Sequence, residues 1–110
     1  MAKVKVRYWK DIPVSIFVKG DDDKASVQLP KIYMVTVDAV ATKTGLTGSR
    51  EYAAEFRTED FERSGDAQEI AETVAAELQQ QCPGSWLREQ RKNAGIDPSV
   101  EAQIEDEARD

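Results

Sequence analysis

The residues able to do chemistry are few, and most are carboxylates. Glu59, Asp60 and Glu62 crowd one short stretch, and paired carboxylates can divide acid and base roles when their surroundings push their pKa values apart. Without a pocket or a pairing partner in the sequence, a charged loop is the ordinary reading of that stretch. Asp21-Asp22-Asp23 offers the oxygens a hard cation takes, but the spaced ligands and the distal glutamate of a calcium loop are missing, so a solvated loop is expected. Cys82, the single cysteine, stands just before Pro83. No base is evident beside it, which fits a packing thiol better than a reactive one.

What is missing narrows the chemistry further. The chain has no histidine, and so lacks the commonest general base and the usual partner of a serine or cysteine nucleophile. A lone cysteine can form neither an intrachain disulfide nor a multi-cysteine zinc site. The expectation is a non-enzymatic protein with no catalytic, cofactor-binding or metal-binding residues, carboxylate-dependent chemistry being a remaining alternative.

Binding is the better prospect. Trp9, beside Lys10 and Asp11, could form an exposed contact patch, since tryptophan is enriched at binding hot spots. The competing and favoured reading is that Asp11 and Pro13 shape a turn while Trp9 covers a sheet edge. Lys3, Lys5, Arg7, Phe17, Lys19 and Arg57 form a second candidate, a basic sheet face interleaved with aromatic rings that could stack bases and hold phosphates. A pI near 4.7 and the lack of an RNP-type aromatic signature oppose tight polyanion binding; a solvated face, or one meeting an acidic protein, is preferred. With Trp86 added from the C-terminal part, the candidate partner-binding residues are Arg7, Trp9, Lys10, Asp11, Phe17, Arg57 and Trp86.

The elements that must position these residues can be read from periodicity. Val4, Val6 and Tyr8 alternate with Lys3, Lys5, Arg7 and Trp9, the period-two pattern of a half-buried strand. Pro13 interrupts, and Val14, Ile16 and Val18 alternate with Ser15, Phe17 and Lys19 as a second strand, so that the pair reads as an antiparallel hairpin. The stretch from Gly20 to Lys24 is a polar loop. Residues 30–45 read as a helix, with Pro30 in its first turn and Gly45 as its cap. Tyr52, Ala54 and Phe56 alternate as a third strand. Asp66, followed by Glu69, starts the clearest helix, with Ile70, Val74 and Leu78 on its apolar face and Cys82-Pro83-Gly84 as its stop. Ser85 to Gly95 could form a short helix pinned by Trp86 and Leu87. The expected architecture is α+β: a three-stranded, mainly antiparallel sheet with two helices on one face, in the order β-β-α-β-α. Its core draws on Val4, Val6, Tyr8, Ile16, Val18, Val35, Tyr52, Phe56, Ile70, Val74 and Leu78.

At 110 residues the chain has room for one domain and an appendage. Residues 1–84 are expected to form the domain and residues 85–110 a helical or partly disordered acidic extension. Charge is segregated. Residues 1–50 carry nine Lys/Arg against five Asp/Glu, and residues 51–110 carry six against sixteen. No apolar run is long enough to span a bilayer, and charges break up the N-terminal stretch before a signal-peptide core could form; a cytoplasmic location and no membrane partner are expected.

Three motifs carry a resemblance. Arg7-Tyr8-Trp9-Lys10-Asp11-Ile12-Pro13 follows the first strand, Gln28-Leu29-Pro30 opens the next helix, and Gly45-Leu46-Thr47-Gly48 precedes Tyr52. Over residues 3–80 or so the chain resembles a small bacterial domain known as a virulence factor domain, which occurs alone or as the terminal part of a larger protein, conserved virulence factor C. The resemblance implies no catalytic residues. Stand-alone members stand beside folate- and corrinoid-linked one-carbon enzymes, and the role it implies is an accessory module that docks onto a bacterial protein of that kind. Weak single-stranded nucleic-acid binding is the alternative.

Overall fold

A computed structural model describes residues 1–46 and 48–108; Thr47 of the Gly45–Gly48 motif and Asp110 of the acidic end lie outside the described residues. The chain is α+β. β1 (Ala2–Trp9) and β2 (Ile12–Lys19) form the expected hairpin, β3 (Lys24–Gln28) turns back along β2, and α1 (Lys31–Lys43) follows. A short α2 (Arg50–Ala54) leads into β4 (Phe56–Arg63). After it come α3 (Ala67–Gln81), α4 (Gly84–Asn93), a 3-10 turn (Pro98–Val100) and α5 (Glu101–Glu107). The strands form one antiparallel sheet in the order β3-β2-β1-β4.

Three expectations are corrected. The sheet has four strands rather than three, because Lys24–Gln28, placed partly in a polar loop, pairs with β2 from Lys19↔Lys24 to Ser15↔Gln28. Only Ala25 and Val27 of that strand turn inward, too few apolar positions to announce it. The expected strand around Tyr52–Phe56 divides: Ser49 accepts a hydrogen bond from the Tyr52 N–H and caps a helical turn over Arg50–Ala54. The strand proper starts at Phe56, which makes Glu59, Asp60 and Glu62 strand residues rather than a loop. Third, α2 adds a short helix to the two expected, whereas α4 and α5 fall in the C-terminal stretch where a helical extension was expected.

The expected helices have their physical causes in place. Asp66 accepts from the Glu69 N–H (3.1 Å) at the start of α3, and Asp23, from the distant β2–β3 loop, accepts from the Ala67 N–H (3.0 Å). Two carboxylates thus satisfy two of the donors that a helix start leaves unpaired. Gly45, at φ +76°, ends α1, with Gly45 N–H bonded to Thr42 and Leu46 N–H to Ala41, the left-handed helix stop that favours glycine.

α3 lies across β2 and β3, burying Ile70, Val74 and Leu78 against Val4, Val6, Ile16 and Val18. Of the expected core, Tyr8, Val35, Tyr52 and Phe56 are only partly buried and pack on its margin. α1 packs on β2, α4 and α5, so much of the helical mass sits beyond the end of the sheet, and the molecule is long for its size, 47 × 28 × 21 Å. β4 is an edge strand, and its residues from Arg57 to Glu62 are exposed.

Candidate functional site

Because side chains alternate along a strand, the face of the sheet away from α3 collects Lys3, Lys5 and Arg7 from β1, Phe17 and Lys19 from β2, and Thr58, Asp60 and Glu62 from β4. These side chains are exposed, Phe17 to 41%. Lys3 stands opposite Glu62 and Lys5 opposite Asp60. Together with Phe17 and Lys19 they line an open concavity of about 870 Å³. The face is therefore a cationic stripe beside an acidic one, with an aromatic ring on the cationic side.

Arg57 does not join it. It lies opposite Tyr8 in the ladder and stacks on the Tyr8 ring at 4.4 Å, on the α3 side. There it also reaches the hairpin tip: its Nε donates to the Lys10 carbonyl (3.0 Å), and it pairs with Glu59 (2.9 Å) and, more loosely, Asp11 (3.7 Å). Lys10 holds a left-handed backbone, φ 53°, uncommon for a residue with a side chain. Its N–H is fixed to the Glu55 carbonyl at 3.0 Å, so both its peptide groups are held from the α2–β4 segment. Burial, followed by Glu59, raises the Tyr8 hydroxyl pKa above the ordinary tyrosine range, against the lowering effect of Arg57.

Trp9 is fully buried, at 0% exposure, so no exposed patch at the tip includes it. Alternation places it on the same face as Lys5 and Arg7, but α2 closes over that end. The indole N–H donates to the Tyr52 carbonyl, the Tyr52 ring packs at 5.7 Å, and Tyr52 meets Phe56 edge-on at 5.5 Å. Arg7 then stacks on Phe56 at 4.2 Å. Trp86 is half-buried against the core and belongs to neither group. The structure thus brings Lys10, Asp11 and Arg57 together at the tip and places Arg7 and Phe17 on the open face. Trp9 and Trp86 lie in or against the core.

The remaining candidates fall in structural positions. Asp23 caps α3. Cys82 is half-buried; burial, then Asp11, pushes its thiol pKa up, and its carbonyl accepts from the Tyr33 hydroxyl at 2.7 Å. Asp60 and Glu62 share the open face, whereas Glu59 points to the other. Among the described residues no group of three or more His, Cys, Asp or Glu could hold a metal ion, and no helix is long and apolar enough to cross a membrane.

One polar cluster had no counterpart in the sequence reading. Arg91 of α4 is 1% exposed. Its Nε and Nη2 grip the Glu101 carboxylate at 2.7–3.1 Å, and its Nη1 donates to Thr36 Oγ1 of α1 at 2.7 Å. The available signal was position: Arg91 falls four residues after Leu87, on the buried stripe of α4, where a charge has to be paired.

Neither a curated protein nor a solved structure matches the chain. A family model described as virulence factor matches residues 7–89, from the end of β1 into α4, including the Arg7–Pro13 and Gly45–Gly48 motifs. The chain belongs to the virulence factor family.

Proposed function

We propose that this protein is a non-catalytic cytosolic docking module whose open sheet face seats a bacterial protein partner. The observation that supports this reading is the exposed Phe17 ring flanked by Lys5 and Lys19, with Asp60 and Glu62 a strand away. An aromatic side chain within a polar, two-sign surface is the anatomy of a protein interface: a ring to bury and charges to set the register. The acidic stripe also weighs against nucleic acid, because Glu62 and Asp60 stand opposite Lys3 and Lys5 and would repel phosphates held by those lysines. A folate- or corrinoid-linked one-carbon enzyme is the partner class to test first.

The test is affinity capture from a native lysate of the source bacterium, with wild-type protein beside Phe17→Ala and Lys5→Glu. A partner in stoichiometric amount, lost with both variants and retained by a Glu72→Lys control on the far side of α3, is the expected result. Capture that ignores the face variants, or none at all, would overturn the reading. A salt-sensitive gain of oligonucleotide binding would favour the nucleic-acid alternative.

A further inference from the structure

Arg91 is the most deeply buried charge described in the chain, and the group that neutralises it is supplied by a short and weakly anchored piece. α5 has seven residues, too few to be helical alone in water. It is held by the Glu101 carboxylate on Arg91, by Ile104 as its one buried side chain, and by Glu105, which pairs with Arg88 at 2.7 Å and approaches Arg91 at 3.9 Å. The recess it fills has fixed chemistry. A planar guanidinium, braced from behind by the buried Thr36 hydroxyl, presents two parallel donors, the geometry suited to a carboxylate. Beside Ile104, α5 leaves a concavity of about 430 Å³ with an apolar floor of Val35, Ala39 and Ile96 and a polar rim of Asp38, Lys43, Asp97 and Glu107. The helix in place satisfies the charge and underfills the apolar seam.

We infer that the Arg91–Thr36 recess and the adjoining α1 seam are a docking site for an acidic amphipathic helix of a partner protein, with α5 as its intramolecular placeholder. The pattern recognised is Glu-x-x-apolar-Glu, as in Glu101, Ile104 and Glu105, with a further apolar side chain three residues after the first in the position of Glu107. Tethering gives α5 a high effective concentration at the seam, so an identical helix from another copy gains nothing over it. A helix that also fills the concavity displaces it. The site joins Thr36, Val35 and Ala39 of α1, within residues 7–89, to Arg91, Ile96 and α5 beyond them, and it lies apart from the open sheet face, so it stands or falls independently of the function proposed above.

The probe is a fluorescein-labelled peptide with the sequence of residues 98–108, in its native form and with Glu107→Leu, titrated onto the full-length chain and onto a full-length Glu101→Gln variant by fluorescence anisotropy. The Glu107→Leu peptide is expected to bind about tenfold or more tightly than the native peptide, the order of effect of one extra apolar group in a pocket, and both should bind Glu101→Gln better than wild type. Placing Glu101→Gln in the peptide should abolish binding, and so should Thr36→Val weaken it. Saturable binding that survives loss of the peptide's Glu101, or equal binding of the two peptides, overturns the inference. So does absence of binding to both chains while circular dichroism shows both folded. An Arg91-dependent dimer of the wild-type chain in sedimentation would give the seat to a second copy and overturn the assignment to a partner.

Discussion

Trp9 and Tyr52, forty-three positions apart, are joined by a hydrogen bond of 2.9 Å from the indole N–H to the backbone carbonyl and by rings 5.7 Å apart. The contact fastens α2 over the end of the sheet and settles where the open face stops. Trp9→Ala is expected to lower stability by about 3–5 kcal/mol, the range for truncating a buried large aromatic side chain. Trp9→Phe keeps an aromatic ring but removes this hydrogen bond, leaving the Tyr52 carbonyl only the longer one from the Glu55 N–H (3.3 Å), at about 1–3 kcal/mol. Urea unfolding followed by circular dichroism measures both; a loss under 1 kcal/mol for the alanine variant would contradict the buried placement.

Lys10 pays for its left-handed backbone with steric strain that glycine avoids. Lys10→Gly is expected to be neutral or to stabilise by up to about 1 kcal/mol, while Lys10→Val, branched at the strained position, should cost about 1–2 kcal/mol. The same unfolding measurement decides. Equal effects of the two substitutions would show that the turn relaxes to another conformation.

Asp23 and Asp66 accept from different N–H groups of α3. Each changed to alanine should cost about 1 kcal/mol. The Asp23 variant should in addition speed hydrogen exchange in β3 and the β2–β3 loop, because its carboxylate ties that loop to the helix. If only α3 responds, the tie across the fold is not what holds the loop.

Glu101→Gln should act locally. Once its carboxylate partner is gone, Arg91 gains water most easily by release of α5, so exchange protection from residue 101 to 107 should fall while β1 and β2 keep theirs. Replacing the pair together, as Arg91→Met with Glu101→Leu, should restore much of the stability, as seen when buried ion pairs give way to apolar side chains. Additive losses in that double variant would argue against a coupled pair.

All three tyrosines have hydroxyls whose pKa is raised chiefly by burial, and the Cys82 thiol moves the same way. A folded pKa above the unfolded one means that the folded state binds the proton more tightly. The resulting stability is fully present below about pH 8.5–10, the unfolded values, and is lost as pH rises through the folded ones. Tyrosinate absorbance should therefore rise late and together with unfolding. Tyr33→Phe, which frees the Cys82 carbonyl, should lower stability at neutral pH while making its alkaline decline shallower, because one proton-linked group is gone. Three independent titrations near pH 10 with the fold intact would refute this.

The hairpin and α3 were legible because each carries a strong periodic pattern, α3 with Asp66 and Cys82-Pro83 at its ends; α1 was legible from its length and from Pro30 and Gly45 at its ends, since Tyr33, Val35, Val37 and Ala39 alternate as a strand would. β3 was not, since five residues with two inward side chains look like a loop until a neighbouring strand supplies the ladder. Tyr52 and Phe56 misled for a related reason. Their alternation is real, but Ser49 caps a turn between them and the ladder begins only at Phe56. The face of Trp9 was readable from alternation; its burial was not, because the cover comes from a segment far along the chain. The residues of the open face were legible individually, whereas the acidic row that meets them depends on the β1–β4 register.

That register has a consequence for polymerisation. β4 leaves one side of an eight-residue strand without a neighbour, a template on which further strands could add. Arg57, Glu59, Asp60, Glu62 and Arg63 make such growth costly near neutral pH by placing like charges against one another in most registers. In acid, below about pH 4 where carboxylates lose their charge, the acidic part of this guard disappears while Phe56 and Phe61 remain. Fibre formation in acid would then begin at the outer strand of the open face, and the protein's shelf life would be set by its least covered edge.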